Sequence, residues 1–379
     1  MTNIAKKHEP IRLAMIGGGP GAFIGPVHRI AAQLDGEFKL VAGTFSSDPQ
    51  RSLQAGLSYG IEPDRAYRDV DSLIACERAR PDGAELIAIV TPNHLHFSAA
   101  RAALDAGFSV MSDKPATATL AQALELRDIV ARASGLYGLT YTYTGYPLVR
   151  EARARIAAGE IGALRKVVVE YFQGWLAGAP EQAGNKQAAW RVDPARAGMG
   201  GCIGDIGVHA FNLAEFITGS QIIEINPQLD VMVEGRSIDD DCTILTRYDN
   251  GATGYIAASQ VATGERNGLT IRVYGERGSI AWRQERSDRL VLTAENGTQT
   301  ILWGGTDALG PSAGEASRLP SGHPEGYFEA FANLYRDMAR KLRGGDAPLL
   351  PTIQEGVRSM AFVATSVERN GGGWTSLHI

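Results

Sequence analysis

Residues 11–16, Ile-Arg-Leu-Ala-Met-Ile, pass without a break into Gly17-Gly18-Gly19-Pro20-Gly21-Ala22-Phe23-Ile24-Gly25, and this junction restricts the fold more tightly than any other part of the chain. A buried strand that ends in clustered glycines can turn at once into a helix. The missing side chains let backbone N–H groups approach an anion at the helix amino end, where the dipole is positive. A strand before and a helix after are the context that distinguishes a pyrophosphate-binding turn from a merely Gly-rich loop. Gly17 and Gly19 are read as the first two glycines of a dinucleotide fingerprint. The third is either replaced by Ala22 or displaced to Gly25 by an insertion; the second reading is preferred because Gly25-x-x-His28 then opens the helix.

Downstream, apolar runs at 38–45, 86–91 and 109–112 alternate with amphipathic stretches: one from Pro49 with Asp48 as its N-cap, one over 96–106, and one over 119–134 capped by Thr119. Strands this continuous in Val, Ile, Leu and Met are covered on both faces, which predicts parallel strands with crossover helices. Residues 1–140 are therefore expected to form a Rossmann-type, doubly wound parallel sheet that binds a dinucleotide. After residue 140 the pattern changes. A helix at 148–158 and a strand at 165–173 precede a long irregular stretch to Gly201, and a helix follows from Asp205 to about 217. Strands without intervening helices then run over 222–302, with Asp249-Asn250-Gly251 as a hairpin turn. Residues 306–323 read as surface loop, and helices at 324–342 and 352–368 close the chain. The overall class is α/β, with a C-terminal α+β domain, 141–379, whose large open sheet is mostly antiparallel and serves substrate binding and oligomerisation.

Composition bounds the function. Of 379 residues, 44% are apolar, enough to fill two cores, and 37 Lys+Arg against 42 Asp+Glu leave a mild negative charge. No basic patch points to nucleic acid, and no run of about 18 apolar residues points to a membrane span. The stretch from Met1 to Pro10 is polar and lacks the apolar core of a signal peptide, so a cytoplasmic location is expected. Cys76, Cys202 and Cys242 lie far apart in sequence without zinc spacing and are expected to be buried free thiols.

The second strand ends at Thr44-Phe45-Ser46-Ser47-Asp48-Pro49, where an acid normally holds the ribose hydroxyls of NAD. Ser46 stands in that place, with Ser47 beside it. A serine bonds a hydroxyl without repelling a 2′-phosphate, and Arg51, about one turn on, is able to pair with one. The expected cofactor is NAD or NADP, with NAD favoured.

At Thr91-Pro92-Asn93-His94-Leu95-His96, at Asp113-Lys114-Pro115 and at Gly200-Gly201-Cys202-Ile203-Gly204-Asp205-Ile206-Gly207-Val208-His209 the sequence resembles the glucose–fructose oxidoreductase, inositol dehydrogenase and MocA (Gfo/Idh/MocA) family. Its members carry T-P-N-x-x-H after one strand, E-K-P after the next, and G-G-x-x-x-D-x-G-x-H opening a helix of the second domain. The resemblance runs from Ile11 through at least Leu302. Three features depart from the pattern: Asp113 shortens the Glu of E-K-P, the phosphate loop carries its insertion, and Ser46 replaces the usual acid.

The resemblance implies an NAD(P)-dependent oxidoreductase that moves a hydride between the nicotinamide and a secondary alcohol of a sugar, sugar derivative or cyclitol. Such a reaction needs a base for the hydroxyl proton. His209 fits, with an unperturbed pKa near ~6.5. Asp205, four residues earlier, lies on the same helical face and is its orienting partner. Lys114, at the carboxyl end of a parallel strand, points into the crevice, where a cation stabilises a developing alkoxide beside the cofactor. Thr91, Asn93 and His96 are placed on the nicotinamide side. His94, His96 and His209 lack the spacing of a zinc set, so no metal is expected.

Gln173, Trp175, Lys186, Trp190 and Arg191 supply amides, cations and indoles, the kit for a carbohydrate, or else form a solvated loop anchored by a tryptophan. Lys186 and Arg191 together suit an anionic substituent. Tyr143, near the domain junction, lines the same cleft or packs there. Two rival functions use the same residues. One is an NAD-dependent glycosidase that oxidises the ring transiently, eliminates the aglycone, adds water and reduces again; the other is a non-catalytic nucleotide sensor. A homodimer or homotetramer through the C-terminal sheet is expected, with Val231, Ile244, Tyr255, Ile271 and Val273 on its outer or its inner face.

Overall fold

Strand β1 (Ile11–Gly17) pairs in parallel with β2 (Phe38–Thr44) on one side and β3 (Leu86–Val90) on the other in the computed structural model, which describes residues 8–377. The polar residues 1–7 lie outside the described residues. With β4 (Ser109–Ser112) and β5 (Tyr137–Leu139) the sheet has five parallel strands in the order β2-β1-β3-β4-β5. Alternation along the strands sends Leu13, Met15, Leu86, Ala88 and Val90 to one apolar core and Ala14, Ile16, Ile87 and Ile89 to the other. The connecting helices are α1 (Ile24–Leu34), α2 (Pro49–Ser58), α3 (Val70–Ala79), α4 (His96–Asp105) and α5 (Leu120–Arg132). Asp48 caps α2 through Arg51 N at 2.9 Å, and Thr119 caps α5 through Gln122 N at 3.2 Å, as the sequence indicates. Neither α3 nor β5 is expected from the pattern. Residues 70–79 are too polar to show a clear stripe, although Asp69 accepts from Ser72 N at 2.7 Å as a cap.

The second part begins with α6 (Pro147–Ala157) and β6 (Leu164–Phe172). The stretch read as irregular contains two short helices, α7 (Lys186–Arg191) and α8 (Pro194–Ala197). The helix expected from Asp205 starts instead as a wider π-turn over Ile203–Gly207 that runs on into α9 (Val208–Thr218). There follow β7 (Ile222–Asp230), β8 (Asp241–Tyr248), β9 (Thr253–Ser259), β10 (Gly268–Gly275), β11 (Gly278–Arg283), β12 (Arg289–Ala294) and β13 (Gln299–Trp303). The loop at 306–323 holds α10 (Pro311–Ala316), and α11 (Tyr327–Leu342), α12 (Ile353–Glu368) and β14 (Thr375–Ser376) finish the chain. The sheet has nine strands in the order β13-β12-β11-β10-β6-β9-β8-β7-β14, antiparallel throughout except for β6 beside β9. Asn250 and Gly251 make the tight turn between β8 and β9, with Gly251 at φ +85° donating to Tyr248 O.

One face of this sheet is buried under α6 and α9, so Ile244, Ile271 and Val273 are inner-face residues. Tyr255 lies on the other face, where its hydroxyl donates to Glu170 at 2.9 Å, and Val231 is exposed. Helix α11 returns to the first sheet: Phe331, Leu334, Tyr335 and Met338 share a core with Leu13, Met15 and Leu86. Leu139 N, at the edge strand, donates to Pro351 O. The open end of the five-stranded sheet, where β1, β3 and β4 finish, therefore faces the start of α9 and the ends of β6 and β10 across a cleft.

Candidate active site

Backbone geometry shapes the floor of the cleft. Gly17 and Gly18 sit at φ +93° and +78°, where a side chain is strained. A Cβ on Gly19 would stand 2.2 Å from the carbonyl oxygen of Phe45, and one on Gly25 would stand 2.2 Å from the Cα of Gly18. Gly18 and Gly25 thus pack backbone to backbone, which gives Gly25 the role of third glycine and leaves Ala22 within the inserted turn. This glycine cradle at the start of α1, together with a buried Thr91 Oγ1 that meets no partner among the described residues, fits a dinucleotide diphosphate followed by a nicotinamide.

The cleft above it has a volume of about 670 Å³. Thr91, Asn93, Asp113 and Lys114 line it from the first domain, and Tyr143, Gln173, Trp175, Trp190, Arg191, Asp205 and His209 from the second. Lys114 Nζ donates to the backbone oxygen of Asp205 at 2.7 Å and to its Oδ1 at 3.0 Å. Oδ2 of the same carboxylate accepts from Arg191 Nε and from Gln260 Nε2, both at 2.9 Å. Burial alone would push this carboxyl up, but the Lys114 and Arg191 cations hold it well below the usual carboxylate range. Asp205 is therefore a fixed anion clamped between two domains. It makes no hydrogen bond to His209; the π-turn breaks the simple one-turn relation that the sequence implies.

His209 is buried among Tyr141, Tyr143 and Tyr171, whose rings meet it at centroid distances of 6.0, 4.9 and 6.3 Å. Its Nδ1 is buried and meets no partner among the described residues, so Nε2 is the nitrogen left to serve a ligand in the cleft. Beside it runs a polar wall. The Tyr143 and Tyr171 hydroxyls are 2.5 Å apart, Tyr171 donates to Asn267 Oδ1 at 2.7 Å, and Gln173 Nε2 donates to the same oxygen at 2.8 Å. Trp175 Nε1 donates to Gln173 Oε1 at 2.9 Å. On the opposite side Arg191 stacks over Trp190 at 4.3 Å, and Gln187 Nε2 reaches Gly21 O of the phosphate loop at 3.3 Å.

Of the other residues expected at the site, His96 and Lys186 lie outside the cleft, whereas Asn93 lines it and Ser46, Ser47 and Arg51 stand at the end of β2. His96 is fully buried, with Nδ1 2.7 Å from Pro115 O and Nε2 2.8 Å from Thr91 O; it braces two loops and does not line the cleft. Lys186 opens α7 on the exposed surface, outside the cleft, and Arg191 turns to Asp205, so the two do not assemble an anion site. Asn93 Nδ2 is held by Ala197 O at 3.1 Å. Ser46 is half-buried, while Ser47 and Arg51 are exposed at the end of β2. Cys76 is exposed, contrary to expectation, whereas Cys202 and Cys242 are buried next to Asp239. Both carboxylate oxygens of Asp239 are already used by Gly201 N and Ile203 N, each at 2.7 Å.

Sequence reasoning missed Tyr171, Gln260 and Asn267. Tyr171 carried a usable signal, because it is two residues before Gln173 on one strand face. Gln260 and Asn267 sit at strand ends with nothing local to mark them.

Burial, reinforced by Lys114, pushes the His209 imidazole down to about 3, although Asp205 and Asp113 pull the other way. An unfolded histidine titrates near ~6.5, so below that pH the unfolded chain takes up a proton that the native site refuses. The stability due to neutral His209 is complete above that pH and is lost as pH falls toward about 3, amounting to about 2 kcal/mol at pH ~5. His96 acts in the same direction, since burial outweighs its two carbonyl partners. Urea midpoints measured at pH ~7.5 and ~5 are expected to fall less for His209→Asn than for the unaltered chain. Equal falls would contradict a buried neutral imidazole.

The family models settle the lineage. Residues 11–141 match the oxidoreductase family with an NAD-binding Rossmann fold, and residues 149–281 match the Gfo/Idh/MocA C-terminal domain. The chain belongs to the Gfo/Idh/MocA family. An uncharacterized oxidoreductase, YfiI, of Bacillus subtilis is 32% identical over 334 residues, 87% of this chain and 85% of that protein. An inositol dehydrogenase homologue from Azotobacter vinelandii, solved with NAD+, superposes with a TM-score of 0.93 at 37% identity, over 99% of this chain and all of that one. The same homologue solved with NADH and myo-inositol gives 0.89 at 36% identity, over 97% and 98% of the two chains. Like other Gfo/Idh/MocA proteins, the chain is an oxidoreductase with an NAD-binding first domain.

Proposed function

We propose that this chain is an NAD-dependent dehydrogenase acting on a secondary alcohol of a cyclitol or sugar ring. The observation that carries the reading is the clamp between domains, in which Lys114 of the first domain and Asp205 of the second meet at 2.7 and 3.0 Å in the cleft that His209 also lines. The glycine cradle of Gly17, Gly19 and Gly25 would hold the diphosphate, with Thr91 and Asn93 beside the nicotinamide. When bound, NAD+ supplies the hydride acceptor.

The chain's own residues then divide the remaining work. His209, neutral because it is buried, takes the hydroxyl proton. The Lys114 ammonium donates to the same oxygen as negative charge grows on it. Asp205 is a positioning residue, whose two cationic partners hold it as an anion and which in turn aims Lys114. The wall of Tyr143, Tyr171, Gln173, Trp175 and Asn267 offers hydroxyls and amides to the other ring hydroxyls. Lys114 and Arg191 are both ion-paired with Asp205, and Asp113 places a second carboxylate in the lining, which favours a neutral polyol over an anionic sugar. The myo-inositol named with the Azotobacter homologue supports that class.

Incubating the chain with NAD+ and a panel of cyclitols, aldoses and aryl glycosides tests the reading. The expected result is stoichiometric NADH from at least one cyclitol or sugar. Phenol release from a glycoside with no net NADH would replace it with the glycosidase chemistry. We further propose self-association through the outer face of the nine-stranded sheet; a monomer in sedimentation at every concentration would contradict it.

A further inference from the structure

The turn that carries Asp205 cannot hold its own start. The first N–H groups of any helix lack an intrahelical partner, and here Gly200 and Gly201 have no side chain to offer, while Cys202 makes no capping bond. The partner comes from 36 to 38 residues away. Asp239, buried in the loop between β7 and β8, takes Gly201 N on Oδ1 and Ile203 N on Oδ2, both at 2.7 Å, and its backbone oxygen takes Cys202 N at 2.8 Å. Three successive N–H groups thus close on one residue. The approach is so tight that a Cβ on Gly201 would stand 2.1 Å from the backbone oxygen of Asp239, which accounts for the second glycine of the Gly200-Gly201 pair.

From there a run of hydrogen bonds reaches the reacting centre. Gly201 O accepts from Asp205 N at 2.9 Å, and Asp205 O accepts from Lys114 Nζ at 2.7 Å. The backbone of the turn, and not the Asp205 carboxylate alone, therefore sets where the ammonium stands. A second arm starts beside the first. Gln260 N, directly after β9, donates to Asp240 O at 2.9 Å, and the Gln260 side chain, buried like that of Asp239, donates to Asp205 Oδ2 at 2.9 Å.

The structure assigns Asp239 and Gln260 as positioning residues for the chemistry of the cleft. The loop entering β8 and the end of β9 hold the π-turn by its backbone and by the Asp205 carboxylate, and through both they aim Lys114. This deepens the dehydrogenase reading and rests on it for the expected rates; the geometry rests on the hydrogen bonds alone. A displacement of about 1 Å caused far from the reacting atoms is enough to cost about 10²-fold in rate.

Asparagine at 239 keeps the shape and one acceptor but turns an amide N–H toward one of the two backbone donors, and methionine at 260 keeps the length without the amide. On the panel alcohol that gives the most NADH, Asp239→Asn and Gln260→Met are each expected to lower kcat by about 10- to 100-fold, with KM and NADH Kd within about threefold of normal. In a Lys114→Met background the same substitutions are expected to cost less than about threefold, because the ammonium they aim is gone. A residue that only supports the fold would lower the rate by the same factor in both backgrounds, and that result, or a kcat within about threefold of normal for both variants, overturns the proposal. Crystal structures of the two variants need no turnover. The expected result is a shifted π-turn in Asp239→Asn and a turned Asp205 carboxylate in Gln260→Met, each drawing Lys114 Nζ off one of its two contacts at Asp205; both contacts intact in both variants overturns the proposal. Gln260→Met carries both measurements should Asp239→Asn fail to fold. If no alcohol of the panel yields NADH, the dehydrogenase reading falls, while the crystal structures still decide whether Asp239 and Gln260 hold Lys114.

Discussion

Lys114→Met is expected to lower kcat for alcohol oxidation by about 10²–10³, the usual cost of deleting one donor aimed at a developing oxyanion. Methionine keeps an unbranched side chain and removes only the ammonium. The substitution breaks a buried ion pair, which by itself costs about 3–5 kcal/mol when the surviving charge is left alone. Here Asp205 keeps Arg191 and Gln260 at 2.9 Å, so the fold is expected to survive with a smaller loss of Tm. NADH affinity, read by fluorescence, separates a chemical defect from a binding defect. Lys114→Arg is not expected to restore the rate, because a planar fork cannot take the place of a point charge in that position. A Lys114→Met enzyme within about threefold of the normal kcat would remove Lys114 from the chemistry.

His209→Asn is expected to cost about 10²–10⁴ in kcat while NADH still binds, the range for a lost general base. Asparagine is close to imidazole in reach and accepts hydrogen bonds, but it does not take up a proton near neutrality. The burial that pushes the imidazole down to about 3 keeps it neutral at every ordinary assay pH. The acid limb of the rate profile is therefore expected well below the ~6.5 of a free histidine. A rate that falls with an apparent pKa near that of free histidine would show that the ring is not shielded as described.

The fold was legible wherever local physics and tertiary role coincide. The strands β3 and β4 are buried along their whole length, and their apolar runs say so. The caps Asp48 and Thr119 mark helix starts by chemistry that depends on neighbours three residues away. What the pattern does not reveal is destination. Residues 327–342 read as a helix with one apolar face, yet nothing in them says that Phe331 and Tyr335 pack on the first sheet and not the second.

The same division holds at the site. Lys114, Asp205 and His209 were found because motifs mark them. Lys186 was misplaced because the spacing from Lys186 to Arg191 does not tell which side chain turns inward. His96 was misread because one of its two carbonyl partners, Pro115 O, comes from the loop after the next strand, 19 residues on. Gln260 and Asn267 went unseen because they reach the cleft only through strand pairing.

The most direct test is a crystal structure of the chain with NADH and a bound polyol. The expected result is a substrate oxygen within hydrogen-bond reach, about 2.6–3.2 Å, of both Lys114 Nζ and His209 Nε2, on the carbon that faces the nicotinamide. A polyol seated in the cleft with that oxygen on other groups, and with His209 and Lys114 both turned away from it, would contradict the assignment.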